Sequence, residues 1–193
     1  MSPSLTYTLG VDRLLRLCRT AALALAGLAA ALLVAAGASV ARTEWLRASF
    51  ERQFWTSARY PNAELLGAWS GMGRLVASGA GGAFSGTSSS GPHCDFAAQA
   101  VYGTADDLEQ VEAYYAGRRV TVGGSEPVGL EVRPISDRAL HGDPLRPGDA
   151  DEAMSDLLRR TGTDLARART FPTVYAVEAI SWGHGAWLDW RCR

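Results

Sequence analysis

Apolar positions fall in three regimes along the chain: one unbroken run, stretches repeating every three or four residues, and stretches that alternate. The run comes first. From Thr20 to Ala41 there are 22 consecutive uncharged residues bracketed by Arg19 and Arg42, which as a helix measure about 33 Å, enough to cross a bilayer. Its 11 Ala, 5 Leu and 2 Val exceed the about 7–15 residues of a signal h-region. A transmembrane signal anchor over 20–41 is therefore expected. The small residues Ala36-Gly37-Ala38 and Ser39-Val40-Ala41 leave a cleaved, secreted form as the alternative.

Behind the run, Trp45, Phe50, Phe54, Trp55 and Tyr60 crowd residues 42–60. They read as an aromatic belt at a membrane surface. Leu46, Phe50 and Phe54, four apart, read equally as the buried stripe of an ordinary helix. One continuous juxtamembrane helix accommodates both readings.

Pro61 and Asn62 break that helix. A Gly/Ser-rich passage near 71–91 has too few apolar groups to offset its ordering cost and is expected to be a loop. His93–Gly103 alternates as a strand with Cys94, Phe96, Ala98, Ala100 and Tyr102 on one face. Thr104-x-x-Asp107 reads as a capping box for a helix carrying Leu108, Val111, Tyr114 and Tyr115 and stopping at Gly117. Val120 and Val122 alternate against Val128, Leu130 and Val132 across Gly123-Gly124, a hairpin. A Pro/Gly loop fills 134–148. Asp149-x-x-Glu152 then caps a second helix bearing Met154, Leu157 and Leu158, which Gly162 ends. Thr173–Trp182 and Ala186–Cys192 read as a final hairpin turning at Gly183-His184-Gly185.

These elements predict an α+β fold: one N-terminal transmembrane helix, then a small domain over 61–193 with a mostly antiparallel sheet and two main helices on one face.

Composition narrows the chemistry. All 19 basic residues are Arg, so no lysine Schiff base and no Gly-Lys-Ser/Thr phosphate loop can form. The bias resembles that of a GC-rich bacterial genome. From Arg42 onward 16 Arg face 19 Asp plus Glu, a net of 16 − 19 = −3, and no basic run tracks a phosphate backbone, which argues against nucleic acid as a partner. A short tail over 1–19 with Arg13, Arg16 and Arg19 is expected to stay cytoplasmic while the long domain crosses. Outside, Cys94 and Cys192 have the count of one disulfide, worth at most about 4.7 kcal/mol in the chain-entropy model; two separate buried thiols are the other reading. Cys18 is expected to be an unmodified thiol.

Catalytic signals are weak. Ser181, His184 and Asp189 supply the residue types of a nucleophilic triad, yet a glycine-flanked turn explains the same spacing. His93, His141 and His184 stand singly, without metal-ligand spacing, so no metal is expected. Gly79-x-Gly81 lacks the third glycine of a dinucleotide loop, and no cofactor is expected. Trp182, Trp187 and Trp190 crowd the C-terminus as core or as a partner-binding patch. The expected role is a non-enzymatic binding or accessory domain of a bacterial cell-envelope complex, anchored in the plasma membrane through residues 20–41 and contacting lipid there and another envelope protein outside. The alternatives are an envelope hydrolase using His184 and Asp189, and a secreted small-ligand binder.

Overall fold

The computed structural model describes residues 5–73, 93–123, 126–141 and 150–185. Helix α1 (Leu5–Ser57) runs unbroken for 53 residues. It is long and apolar enough, by length and composition, to cross a membrane. Its two halves do different work. Residues 16–35 are exposed on every side, whereas Leu46, Phe50 and Phe54 are buried at the centre of the domain. The four-residue spacing that suggested a core stripe is that stripe, and Trp45 remains 60% exposed.

Strands β1 (Ala63–Gly73), β2 (His93–Thr104), β5 (Glu131–Pro134) and β6 (Thr173–Gly185) form one sheet in the order β1-β2-β6-β5, every neighbouring pair antiparallel. The class is α+β. Helices α2 (Leu108–Tyr115) and α4 (Ala150–Arg160) are the two expected ones, joined by the short α3 (Asp137–His141) and α5 (Leu165–Ala168). Strands β3 (Arg119–Val120) and β4 (Val128–Gly129) pair in a sheet of their own, a shorter hairpin than expected, because Val132 belongs to β5 and pairs with β6 instead.

The helices do not gather on one face. Phe96, Ala98, Ala100 and Tyr102 of β2, with Tyr175, Val177 and Ala179 of β6, pack against α1 and α2. On the reverse face Val101, Val174 and Ala176 pack against Ala139, Leu140, Leu157, Leu158 and Ala168 of α3, α4 and α5. The central strands β2 and β6 are thus buried on both sides, as a sheet covered by two layers requires.

Strand β1 was not expected. Its first half follows Pro61-Asn62 and its last residues, Gly71–Gly73, fall where the Gly/Ser loop was placed; residues 74–91 of that loop lie outside the described residues. A bulge between Leu65 and Gly67 turns Leu66 into the reverse-face core. The α4–α5 connection then closes the edge, with Ala68 N–H donating to Thr161 O (3.0 Å) and Asp164 N–H to Leu66 O (3.1 Å).

The capping box is also corrected. Asp107 is the N-cap of α2, its Oδ1 accepting from Gln110 N–H at 2.8 Å. Thr104 instead ends β2, its hydroxyl donating to Asn62 O (2.9 Å). Asp107→Ala should therefore cost about 1 kcal/mol, read as a lowered thermal midpoint; an unchanged midpoint would remove the cap from the account. Gly117 (φ +79°) and Gly162 (φ +62°) end α2 and α4 in the left-handed conformation that glycine tolerates best. Asp149, the expected second cap, and Ala186–Cys192, the second strand of the expected final hairpin, lie outside the described residues.

The C-terminal end of α1 is fixed by polar contacts as well as by burial. Tyr115 Oη donates to Ala58 O and Tyr114 Oη to Arg59 O, occupying carbonyls that a helix end leaves open. Gln53 Oε1 accepts from Thr121 N–H (2.9 Å), and Ser70 Oγ donates to Glu51 Oε1 (3.0 Å). Tyr60 Oη and Asn62 Nδ2 both donate to Asp106 Oδ2, at 2.7 and 2.9 Å. Those two bonds hold the Asp106 carboxyl below its ordinary range, the Asn62 bond contributing most. The membrane-length helix is thereby built into the domain.

Candidate functional site

The expected turn at Gly183-His184-Gly185 is instead the continuation of β6, with His184 opposite Cys94 and Gly185 opposite His93. A register shift between Cys94 and Phe96 sits beside it, the kind of irregularity that glycines in a strand accompany. Ser181, opposite Phe96, is buried. The side chains of His184 and Cys94, and the whole of Asp189, Trp187, Trp190 and Cys192, lie outside the described residues. Trp182 is 46% exposed. Among the described residues no three His, Cys, Asp or Glu converge to hold a metal ion.

Charge is concentrated elsewhere, on the reverse face of the sheet. Strand alternation puts Asp95, Ala97, Gln99 and Val101 of β2 on that face, together with Val174, Ala176, Glu178 and Ile180 of β6. The register places Trp69, Gln99, Glu178 and Glu131 in one row across all four strands. Gln99 and Glu178 are 0% and 1% exposed. Neither the Gln99 amide nor the Glu178 carboxyl has a hydrogen-bond partner of ordinary geometry, an arrangement that costs about 1–3 kcal/mol per neutral group.

Burial pushes the Glu178 carboxyl up to about 7, and the Glu131 carboxylate facing it across β5 adds to the rise. Arg133, the Gln99 amide and Arg160 oppose it. Arg133 is engaged with Glu131, donating from Nε (3.0 Å) and Nη2 (2.8 Å) to Oε1. Arg160 stands over the Trp69 ring, 5.4 Å from its centroid. The row thus holds a buried carboxyl whose ionisation burial opposes, between the Gln99 amide and the Glu131 carboxylate, with Arg133 and Arg160 acting on it from outside the row.

Two other features belong to the fold. The opposite face carries Tyr60, Tyr102, Tyr114, Tyr115 and Tyr175 in mutual ring contact; burial pushes Tyr102 up to about 12 and raises Tyr115 and Tyr175 further. An open groove of about 480 Å³ lies between the end of α2 and strands β3–β5, lined by Tyr115, Arg118, Arg119, Leu130 and Glu131 among others. Arg118 there is committed to Tyr114, stacked 3.8 Å from the ring centroid and donating from Nε to its carbonyl.

The Glu178 row was missed because Asp95, Gln99 and Glu178 occupy the polar phase of alternating strands, which reads as the solvent face. The available signal was β6 itself, where Glu178 interrupts the otherwise apolar run from Val174 to Ile180. The chain matches no family model, no curated protein and no solved structure.

Proposed function

We propose that the chain is a single-pass membrane protein whose C-terminal α+β domain stands outside the plasma membrane of a bacterium, as a non-enzymatic binding or accessory component of a cell-envelope complex. The observation that carries this reading is the continuity of α1. Its exposed apolar half passes without a break into the half that fills the domain core, so the span is an integral part of the fold. Proteases cut exposed, locally unfolded segments, and both small-residue motifs sit within an uninterrupted helix, which favours an anchor over a cleaved signal. The arginine-bearing short tail favours a cytoplasmic N-terminus.

A disulfide between Cys94 and Cys192 fits the same reading. The described part of β6 ends at Gly185, and its residue His184 pairs with Cys94.

Alkaline carbonate extraction of membranes, followed by intact mass under non-reducing conditions, tests the proposal. The expected result is full-length protein retained in the membrane, two hydrogens lighter than the fully reduced chain. Soluble full-length protein with three titratable thiols would overturn it. A mature chain starting after Ala38 or Ala41 would establish the secreted form instead.

A further inference from the structure

The domain begins before the uncharged run ends. Residues 16–35 of α1 are exposed on all sides, but from Ala36 a stripe at three- and four-residue spacing is partly covered at Ala36, Ser39 and Val40 and then buried at Thr43, Leu46 and Phe50. Thr43 is only 3% exposed. About 20 residues cross the hydrocarbon core, so a span starting at Thr20 meets the bilayer surface near Ser39, inside the covered stretch. No linker separates lipid from domain.

The sheet shows which end of the domain meets that surface. Phe50 lies against Phe96 (ring centroids 6.0 Å), while Thr104, at the far end of β2, bonds to Asn62 beyond the end of α1. Strand β2 therefore climbs away from the span as α1 does. Its start, the end of β1 and the end of β6 lie at the near end, in register at Gly73, Asp95 and the His93–Gly185 pair. Gly123, in the connection between β3 and β4, also reaches this level, packed on Leu46.

Two large indoles are exposed on this rim: Trp45 at 60% and Trp182 at 46%. Trp45 belongs to the helix on one face of the sheet. Trp182 follows Ser181, whose partner is Phe96, and the alternation of β6 puts it on the opposite face. Both stand within about one helical turn of the same height. Side chains on a helix lean toward its N-terminus, which for Trp45 is toward the bilayer. Tryptophan combines an apolar ring with one N–H donor and concentrates at membrane interfaces.

We propose that this rim is seated in the phospholipid headgroup layer and held there by Trp45 and Trp182, one on each side of the sheet. The proposal rests on α1 spanning the bilayer. It makes lipid the partner of a defined edge of the domain and fixes the domain's orientation over the membrane.

The test uses the full-length protein reconstituted into phospholipid vesicles in which the acyl chains carry bromine either close to the headgroup or close to the terminal methyl. Tryptophan emission is compared for the wild type, Trp45→Phe, Trp182→Phe and the double variant, with thermal midpoints in detergent establishing that each variant folds. The expected result is stronger quenching by the shallow bromines in the wild type. Each single variant loses part of that quenched emission, and the double variant loses both parts. Shallow quenching unchanged in both single variants, in protein that still floats with the vesicles, overturns the seating while leaving the span intact. Protein that fails to float with vesicles overturns both.

Discussion

Replacing Glu178 with glutamine should stabilise the protein at pH 8 by about 3 kcal/mol, or about 10 °C in thermal midpoint, and leave it nearly unchanged at pH 4.5. The folded-state carboxyl titrates at about 7 against an ordinary 4.5. Its pKa is raised, so between those values the folded state holds a proton that the unfolded state has released. Stability from this group is therefore fully present below pH 4.5 and lost as pH rises through 7. Glutamine keeps the shape and stays neutral throughout, so the variant escapes the loss. Glu64, whose carboxyl is held low by the bidentate Arg167, and Asp106 give slopes of opposite sign. Both are unchanged between the two proteins and cancel in the difference. Thermal unfolding of wild type and variant in mild detergent across pH 4.5–8 is the measurement. A difference that stays flat with pH would mean that Glu178 is solvated or paired, contrary to its position in the sheet.

The same residue shows where a single sequence stops being informative. Period-two alternation assigns each residue of a strand to one of two faces, and it did so well for β2: Phe96, Ala98, Ala100 and Tyr102 do share the face against α1. It does not say whether the second face meets water. Here α3–α5 cover that face, so Val101 and Ala176 are core and Gln99 and Glu178 become interior polar groups. The period was legible. The second layer was not, because it depends on where 137–168 packs in three dimensions.

Local backbone chemistry transferred well where it depended on few residues. Gly117 and Gly162 stop their helices by adopting positive φ, and Gly123 has positive φ in the connection between β3 and β4. It failed where tertiary contacts choose between equivalent options. Thr104 and Asp107 are both competent caps, and the pull of Asn62 O on the Thr104 hydroxyl left Asp107 to serve. Glycine misled twice in the same way. Gly71–Gly73 and Gly183–Gly185 looked like loop and turn, yet pairing with β2 extends both as strand, because cross-strand hydrogen bonds outweigh the about 1 kcal/mol span of β propensities.

Truncating Phe54 to alanine should cost about 3–5 kcal/mol, against less than about 1 kcal/mol for Leu33→Ala on the same helix. Phe54 is 0% exposed, contacts Trp55 edge-on at 4.8 Å and stacks with Phe50 at 6.4 Å. Phe50 in turn meets Phe96 on the sheet. Removing the ring leaves a cavity between α1 and β2 that rigid neighbours on both sides cannot close. Leu33 is 74% exposed and touches no part of the domain core, so its truncation separates the apolar half of the helix from the docking. Thermal unfolding in detergent reads the two costs. Limited trypsin digestion reads their location: docking shields the backbone around Arg47 and Arg52, and its loss in Phe54→Ala should expose cleavage there while the apolar half of α1 stays protected by the micelle. Equal costs for the two variants, or an uncut docking segment in Phe54→Ala, would mean that the domain holds together without α1. The helix would then be a tether, and its unbroken course from the exposed apolar half into the core would contribute nothing to the fold.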